Sequence, residues 1–552
     1  SHEDRIKPLL GFCSLSARRP PNVLLWDKAS PSAGCFGGYI TFGNRDGALN
    51  ISHSDGLVEF LFIFCYHLPM ALDEIRKTKI KKIEELRKSG IDPYPASSSR
   101  TNSIKEAVDN YDEWKDKKEI TLAGRIMARR EHGGSTFFDI DDGSGNIQAY
   151  IKEDMVGPDE YKHFQGSIDR GDFIEVRGQL KDTKREEKTI YVDKYKLLTK
   201  ALLPLPEKWH GLEDVEERLR KRYLDFIMNP EERELFVKKS KFWQATREFL
   251  LKEGGLEVET PVLEQIPGGA DAEPFKTHLN ALNTDLFLRI SPELNLKRLI
   301  TAGYEKVFEI GRIFRNEGID REHLQDYTQM EMYWAYYDYE KLMELIERLF
   351  KHVVRETLGA SGQQYQGETI DWNSSWKRYD YYEEFEKHTD LRLEKVSEKD
   401  LKNYAKDNGI DAGKHIGKGR LIDVIFKKKV RPYLIEPGFL VLPPIDIEPL
   451  AKRYPKDPNR VERFQVVAGG TELGKGFSEL NDPIDQRRRF EEQVKLGEAG
   501  DKEAQRMDED FVEALEYGMP PTAGFGMSER FFAFLMDRPV REVVFFPLMK
   551  PK

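Results

Sequence analysis

The spacing of apolar and polar positions changes along the chain. From Leu72 to Leu86 the apolar residues Leu72, Ile75, Ile80, Ile83 and Leu86 recur at roughly helical spacing among lysines and glutamates, which predicts an amphipathic helix. Gly90 and Asp92-Pro93 end it. Over residues 119–200 the period shortens to two, and Ile120–Ile126, Thr136–Ile140, Asn146–Ile151, Phe173–Gly178 and Thr189–Val192 read as five short strands separated by turns such as Asp142-Gly-Ser-Gly. Five strands in about 80 residues suit a small Greek-key barrel of the OB type, a common oligonucleotide binder, although strand counting alone leaves other small barrels open. Helical pattern returns at 212–253, after Leu203-Pro-Leu-Pro, and a mixture of strands and helices follows to the C-terminus. This last block, about 340 residues, is the largest unit and is expected to hold the chemistry.

Within it, residues 304–336 read as an antiparallel hairpin with a long polar tip between Phe314-Arg315-Asn316-Glu317 and Tyr327. Side chains alternate across a strand, so Tyr327, Gln329, Glu331 and Tyr333 share one face, and Thr328, Met330, Met332 and Trp334 form the core face. A carboxylate between aromatic rings is costly when dry and unpaired. A solvent-exposed face is the plain explanation, but Arg315 and Glu317 at the strand end favour a ligand site. Thr471–Asp482 reads as another strand, with Glu472 and Glu479 beside small glycines that permit close approach. Gly518–Arg530 reads as a Gly-rich turn entering a helix, with backbone amides and Arg530 placed to hold an anion.

Composition narrows the classes. A chain of 552 residues predicts two or three domains. Its net charge of −10 gives no sign of nucleic-acid affinity. The three cysteines, Cys13, Cys35 and Cys65, exclude a disulfide scaffold and a structural zinc site. No GxxxxGK[ST] or GxGxxG phosphate loop is present. Residues 1–69 carry six acids and six bases, hold all the cysteines and contain no methionine. All of the −10 therefore belongs to the chain from Met70 onward. Residues 1–69 fit neither a signal peptide nor a small domain. They are expected to be a non-native or unstructured extension, with translation starting at Met70. The lysine-rich face of the following helix (Lys77, Lys79, Lys81, Lys82, Arg87, Lys88) reads first as a solvated face, and second as a phosphate-backbone contact.

Three segments carry a family resemblance. Phe314-Arg-Asn-Glu317 with its following strand, the Gly-rich segment ending in Glu529-Arg530, and Gly255-Leu-Glu-Val-Glu-Thr-Pro261 resemble motifs 2, 3 and 1 of class II aminoacyl-tRNA synthetases. Within that class the chain resembles the lysyl-tRNA synthetases, through Ile266-Pro-Gly-Gly-Ala270, Pro274–Ala281, Arg289–Leu294, Phe314–Asp320 and Phe477–Pro483. The match runs from about residue 75 to Lys552. The resemblance implies an α+β chain: an OB-fold anticodon domain at 119–205 after a helical segment at 70–118, then a class II catalytic domain at 206–552 with an antiparallel sheet flanked by helices. It implies ATP-dependent formation of lysyl-adenylate and transfer of the lysyl group to the 3′ end of tRNA(Lys). It further implies Mg²⁺ as cofactor, a homodimer joined through motif 1, a cytoplasmic location and no membrane association.

Residue roles follow from the same resemblance. Arg315 is expected at the α-phosphate and Arg530 at the distal phosphates, these two being the catalytic pair; Glu317 and Tyr327 take the adenine, and His323 contacts phosphates. Glu472 binds Mg²⁺, with Gln465 where the family has a second metal-binding Glu. Glu293 and Glu479, with Tyr333, surround the ε-ammonium of lysine, and Glu331 and the backbone near Gly269 take the α-amino group. Lys475, replacing a usual Asn, and Phe477 complete the lysine site; on a strand Lys475 can serve the carboxylate or phosphate end. Phe137, Gln148 and Glu187 match positions that read the anticodon, and of the neighbours Phe137 and Phe138 one should point outward. The segment around Gly526 is one residue shorter than the family pattern. Two alternatives remain: the same reaction with another amino acid (aspartyl- or asparaginyl-like), and a non-catalytic tRNA-binding paralogue.

Overall fold

The computed structural model describes residues 72–206, 214–318, 320–411, 417–498 and 504–551, and the backbone alone of 23–24, 40–41 and 55–71. The expectation for residues 1–69 otherwise lies outside the described residues. Helix α1, Asp55–Lys88, begins upstream of Met70. The chain divides into two compact units, Ser1–Glu207 and Lys208–Lys552.

In the first unit, β1 (Glu119–His132), β2 (Ser135–Asp141), β3 (Asn146–Lys152), β4 (Phe173–Asp182) and β5 (Lys188–Thr199) close a barrel in the order β1-β2-β3-β5-β4. Alternation fills its interior with Ile120, Leu122, Phe138, Ile140, Ile174, Val176 and Ile190. Helix α2, Pro158–Ser167, adds Phe164, whose ring lies 5.3 Å from that of Phe138. Gly178 sits at a register shift where a Cβ would lie 1.9 Å from the Tyr191 carbonyl oxygen. Only the C-terminal part of the predicted apolar stripe of α1 is buried: Ile83 and Leu86 are covered, and Leu72, Ile75 and Ile80 are exposed. Nor is its basic face wholly solvated, since Lys82 Nζ lies 2.9 Å from Asp169 Oδ1 and Lys79 is buried.

The second unit is built on eight strands. They are β6 (Leu256–Glu257), β7 (Lys306–Phe314), β8 (Asp326–Ala335), β9 (Lys377–Asp380), β10 (Gly438–Val441), β11 (Arg463–Ala468), β12 (Thr471–Ser478) and β13 (Thr522–Ser528). Their spatial order is β9-β10-β11-β12-β13-β8-β7-β6, antiparallel except for the outermost pair at each edge. The β7–β8 hairpin pairs Glu309 with Glu331 and Ile313 with Tyr327. The predicted core face, Met330, Met332 and Trp334, packs in one cluster with helix α5 (Tyr339–Leu358) and with α3 (Pro230–Lys252). The helical pattern at 212–253 resolves into Val215–Arg220, Arg222–Met228 and α3, which restarts at Pro230.

Gly518–Arg530 is not a turn: its centre is β13, inserted between β8 and β12. Of the glycines that suggest a turn, Gly524 is required instead by lateral crowding. A Cβ on Gly524 would lie 2.3 Å from Tyr333 Cε1 and 2.4 Å from Glu479 Oε1. Helix α8, Arg530–Leu535, then follows with Glu529, not a free anion site, at its N-cap. Among the described residues no helix is long and apolar enough to cross a membrane.

Candidate active site

The solvent-side faces of β8, β12 and β13 floor a cavity of about 550 Å³. With one exception, every residue expected to touch lysine, nucleotide or metal lines it; the exception is Glu479.

One end is acidic. Glu331 is buried on β8 and accepts from Ser291 Oγ at 2.7 Å, from Tyr333 Oη at 2.9 Å and from Gln329 Nε2. Burial pushes its carboxyl above the ordinary range, and those three donors work against the shift. Tyr333, assigned to the ε-ammonium, thus donates to the carboxylate assigned to the α-amino group; its oxygen lone pairs are left to accept from an ammonium. Gly269, at φ 84°, packs its backbone against Glu293, where a Cβ would lie 2.8 Å from the Glu293 Cβ. Glu293 opens helix α4, Glu293–Thr301.

Glu479 lies behind the cavity wall, 1% exposed. Its carboxylate pairs with Lys297, whose Nζ also donates to Glu293 Oε1 at 2.6 Å. Lys297 is fully buried, and the predicted ammonium pair is therefore joined by a cation of the protein itself. Burial raises Glu293 to about 7 and Glu479 above its usual range, with Lys297 opposing both shifts. Sequence reading missed Lys297, although one signal was there: it stands four residues after Glu293 among Leu294, Leu296 and Ile300, on the buried side of an amphipathic helix.

The other end is basic. Arg315 donates to the Ile290 carbonyl at 3.3 Å and lies over the Tyr327 ring, 5.7 Å from its centre. Arg530 donates to the Glu322 carbonyl at 3.3 Å. His323 Nδ1 is 2.8 Å from Asp320 Oδ2, an orientation imposed by the hairpin tip. Glu317 lines the cavity at the same strand end. Arg463, and Lys427 and Arg431 on and just after helix α6 (Lys418–Lys429), add positive charge that sequence reading had no reason to place here.

Glu472 stands within this basic field. Burial works against its charge, but Arg463, Arg530, Lys427 and Arg431 outweigh it and hold its carboxyl below the usual range. Gln465 Nε2 donates to Glu472 Oε2 at 2.8 Å, leaving the amide oxygen as a second hard ligand. Among the described residues no group of three or more His, Cys, Asp or Glu side chains could hold a metal. One ionised carboxylate with one amide oxygen suits a cation such as Mg²⁺, which keeps waters and takes ligands from substrate phosphates. Lys475 Nζ meets Glu448 Oε2 at 3.2 Å, and Phe477, 4% exposed, lines the cavity.

On the barrel Phe138 is core and Phe137 faces outward, its ring 4.6 Å from Tyr150, which is 5.1 Å from Tyr191. Glu187 is exposed. Gln148 departs from expectation: it shares the Tyr150 face but is covered, and its Oε1 accepts from Thr189 Oγ1 at 2.9 Å.

An antiparallel sheet carrying an Arg-bearing hairpin and a terminal strand–helix around an acidic–basic cavity, with a five-stranded barrel ahead of it, defines a class II aminoacyl-tRNA synthetase. Residues 214–550 match the family model for tRNA synthetases class II (D, K and N), and residues 120–198 match that of the OB-fold nucleic acid binding domain. The lysine–tRNA ligase of Carboxydothermus hydrogenoformans is 45% identical over 485 residues, covering 87% of this chain and 99% of the relative. Those of Bacillus subtilis and Thermotoga maritima are each 44% identical, covering 87% of this chain and 98% and 97% of theirs. The chain belongs to the lysine–tRNA ligase family, and its reaction is activation of lysine and charging of tRNA.

Proposed function

We propose that L-lysine lies with its two ammonium groups at the acidic end of the cavity, and ATP with its phosphates at the basic end. The opposition of Glu293 and Glu331 to Arg315, Arg463 and Arg530 within one cavity carries this reading. The lysine carboxylate oxygen attacks the α-phosphorus, a C–O–P linkage forms, and the bond to the β-phosphate oxygen breaks with release of pyrophosphate. Arg315 stabilises the charge that builds at the α-phosphate, and Arg530 with His323 holds the distal phosphates. Glu317 accepts from the adenine amino group, with Tyr327 stacked on the ring. Glu472 and the Gln465 oxygen would hold Mg²⁺, which neutralises phosphate charge when bound. In the second step a terminal ribose hydroxyl of tRNA(Lys) attacks the carbonyl and AMP leaves. No covalent enzyme intermediate is needed, so positioning supplies the acceleration.

The barrel takes the anticodon on Phe137, with Glu187 and the remaining amide edge of Gln148 beside it. Leu251, Leu256, Val262 and Leu263 are exposed apolar side chains on and beside the Gly255–Pro261 segment, which supports a homodimer joined there. The enzyme works in the cytoplasm. ATP–pyrophosphate exchange with each of the twenty amino acids tests the substrate. Exchange with lysine alone is expected; exchange with aspartate or asparagine but not lysine would overturn the assignment.

A further inference from the structure

We propose that Lys297 is a specificity-positioning residue: by tying Glu293 to Glu479 it fixes the geometry of the substrate cage and sets the cage's charge to match lysine. The inference rests on the reading that the acidic end binds the two ammonium groups.

Lys297 projects from α4 into a space bounded by three other elements. Its Nζ meets Glu293 from its own helix and Glu479 just beyond the end of β12. The rings of Phe477 on β12, Tyr333 on β8 and Phe511 on α7 (Glu509–Glu516) lie 5.4, 5.9 and 5.9 Å from it. Glu331 and Lys475 also bear on Glu293, and Glu448 on Glu479; Glu448 and Lys475 pair with each other at 3.2 Å and so cancel in the net charge of the cage. The neighbouring Arg298 is occupied by Asp508 and Asp510. Among the described residues Glu479 Oε1 has no hydrogen-bond partner.

Charge counting gives the reason for a buried cation here. Glu293, Glu331 and Glu479 ionised carry three negative charges; Lys297 reduces them to two, the number of ammonium groups on lysine. A purely structural role explains this poorly, because an apolar residue packed among Leu294, Leu296 and Ile300 serves a fold at least as well as a buried ion pair. Without Lys297 the three carboxylates of the free enzyme repel one another unscreened and hold protons to higher pH, and lysine, which pairs with the ionised carboxylates, has to displace them.

The test is lysine-dependent ATP–pyrophosphate exchange by the full chain from pH 6 to 9, with Lys297→Met, Glu479→Gln, the double variant and Glu293→Gln. Lys297→Met is expected to raise the KM for lysine about tenfold at pH 7, with the KM for ATP unchanged, and to move the midpoint of the KM–pH profile up by about one unit. The double variant restores two net negative charges and should bind lysine more tightly than Glu479→Gln alone, which leaves one. That comparison stands even if Lys297→Met alone does not fold. An unmoved midpoint in Lys297→Met, or a double variant weaker than Glu479→Gln, overturns the inference. An unchanged KM for lysine in Glu293→Gln would instead overturn the ammonium site on which it rests.

Discussion

Lys475 Nζ lies 3.2 Å from Glu448 Oε2, so the lysine that replaces the family's usual Asn is held against a carboxylate of the cavity wall. Burial opposes the charge of Glu448, but Lys475 and Arg463 outweigh it and keep its carboxyl below the ordinary 4.5. A depressed carboxyl contributes stability above its unfolded pKa and loses it as pH falls through the folded one. Lys475 is partly exposed, so its removal is expected to cost about 1–2 kcal/mol, less than for a fully buried pair. Urea denaturation of Lys475→Met should show that loss at pH 7 and a smaller one near pH 4; equal losses at both would disconnect the effect from Glu448.

Gly524 leaves the space that Tyr333 and Glu479 occupy. Gly524→Ala should displace both and raise the KM for lysine about tenfold or more, with little change in the KM for ATP. Parallel increases in both constants would indicate a general loss of the sheet instead.

Glu472 is paired with an amide where the family places a second acid. Gln465→Glu is expected to lower the Mg²⁺ concentration giving half-maximal exchange, and Glu472→Gln to lower exchange about 10- to 100-fold. A Mg²⁺ titration checks both; identical curves for wild type and Gln465→Glu would remove Gln465 from the metal site.

Phe137 belongs to the other unit, so its effect should separate from the chemistry. Phe137→Ala is expected to raise the KM for tRNA about tenfold, as for loss of one stacked base, and to leave pyrophosphate exchange unchanged. Reduced exchange without tRNA would contradict an anticodon role.

Much of this arrangement was legible because alternation in a strand is rigid. Once Met330, Met332 and Trp334 are read as core, Glu331 and Tyr333 must face the other way, and the hairpin register confirms that division. The illegible parts are those where composition points the wrong way. Gly524 and Gly526 suggest a turn, yet both lie in a strand, where Gly524 leaves room for Tyr333 and Glu479. Nothing in the sequence around Lys427 and Arg431 marks them for the cavity, and only the packing of α6 turns them toward Glu472. Gln148 is on the outward face, but no local pattern predicts that Thr189 from the parallel neighbour strand will cover it. Lys297 stands on an apolar face, and its partner Glu479 is too far along the chain for spacing to connect them.

The central claim is that Glu293 belongs to the site that grips the ammonium groups of lysine. The KM for lysine of Glu293→Gln, measured by pyrophosphate exchange beside the KM for ATP, tests it most directly. Loss of one charged partner from a buried ammonium is expected to raise the KM for lysine about 100-fold and leave that for ATP near its wild-type value. A KM for lysine equal to that of the wild type would place the ammonium groups elsewhere and contradict the account.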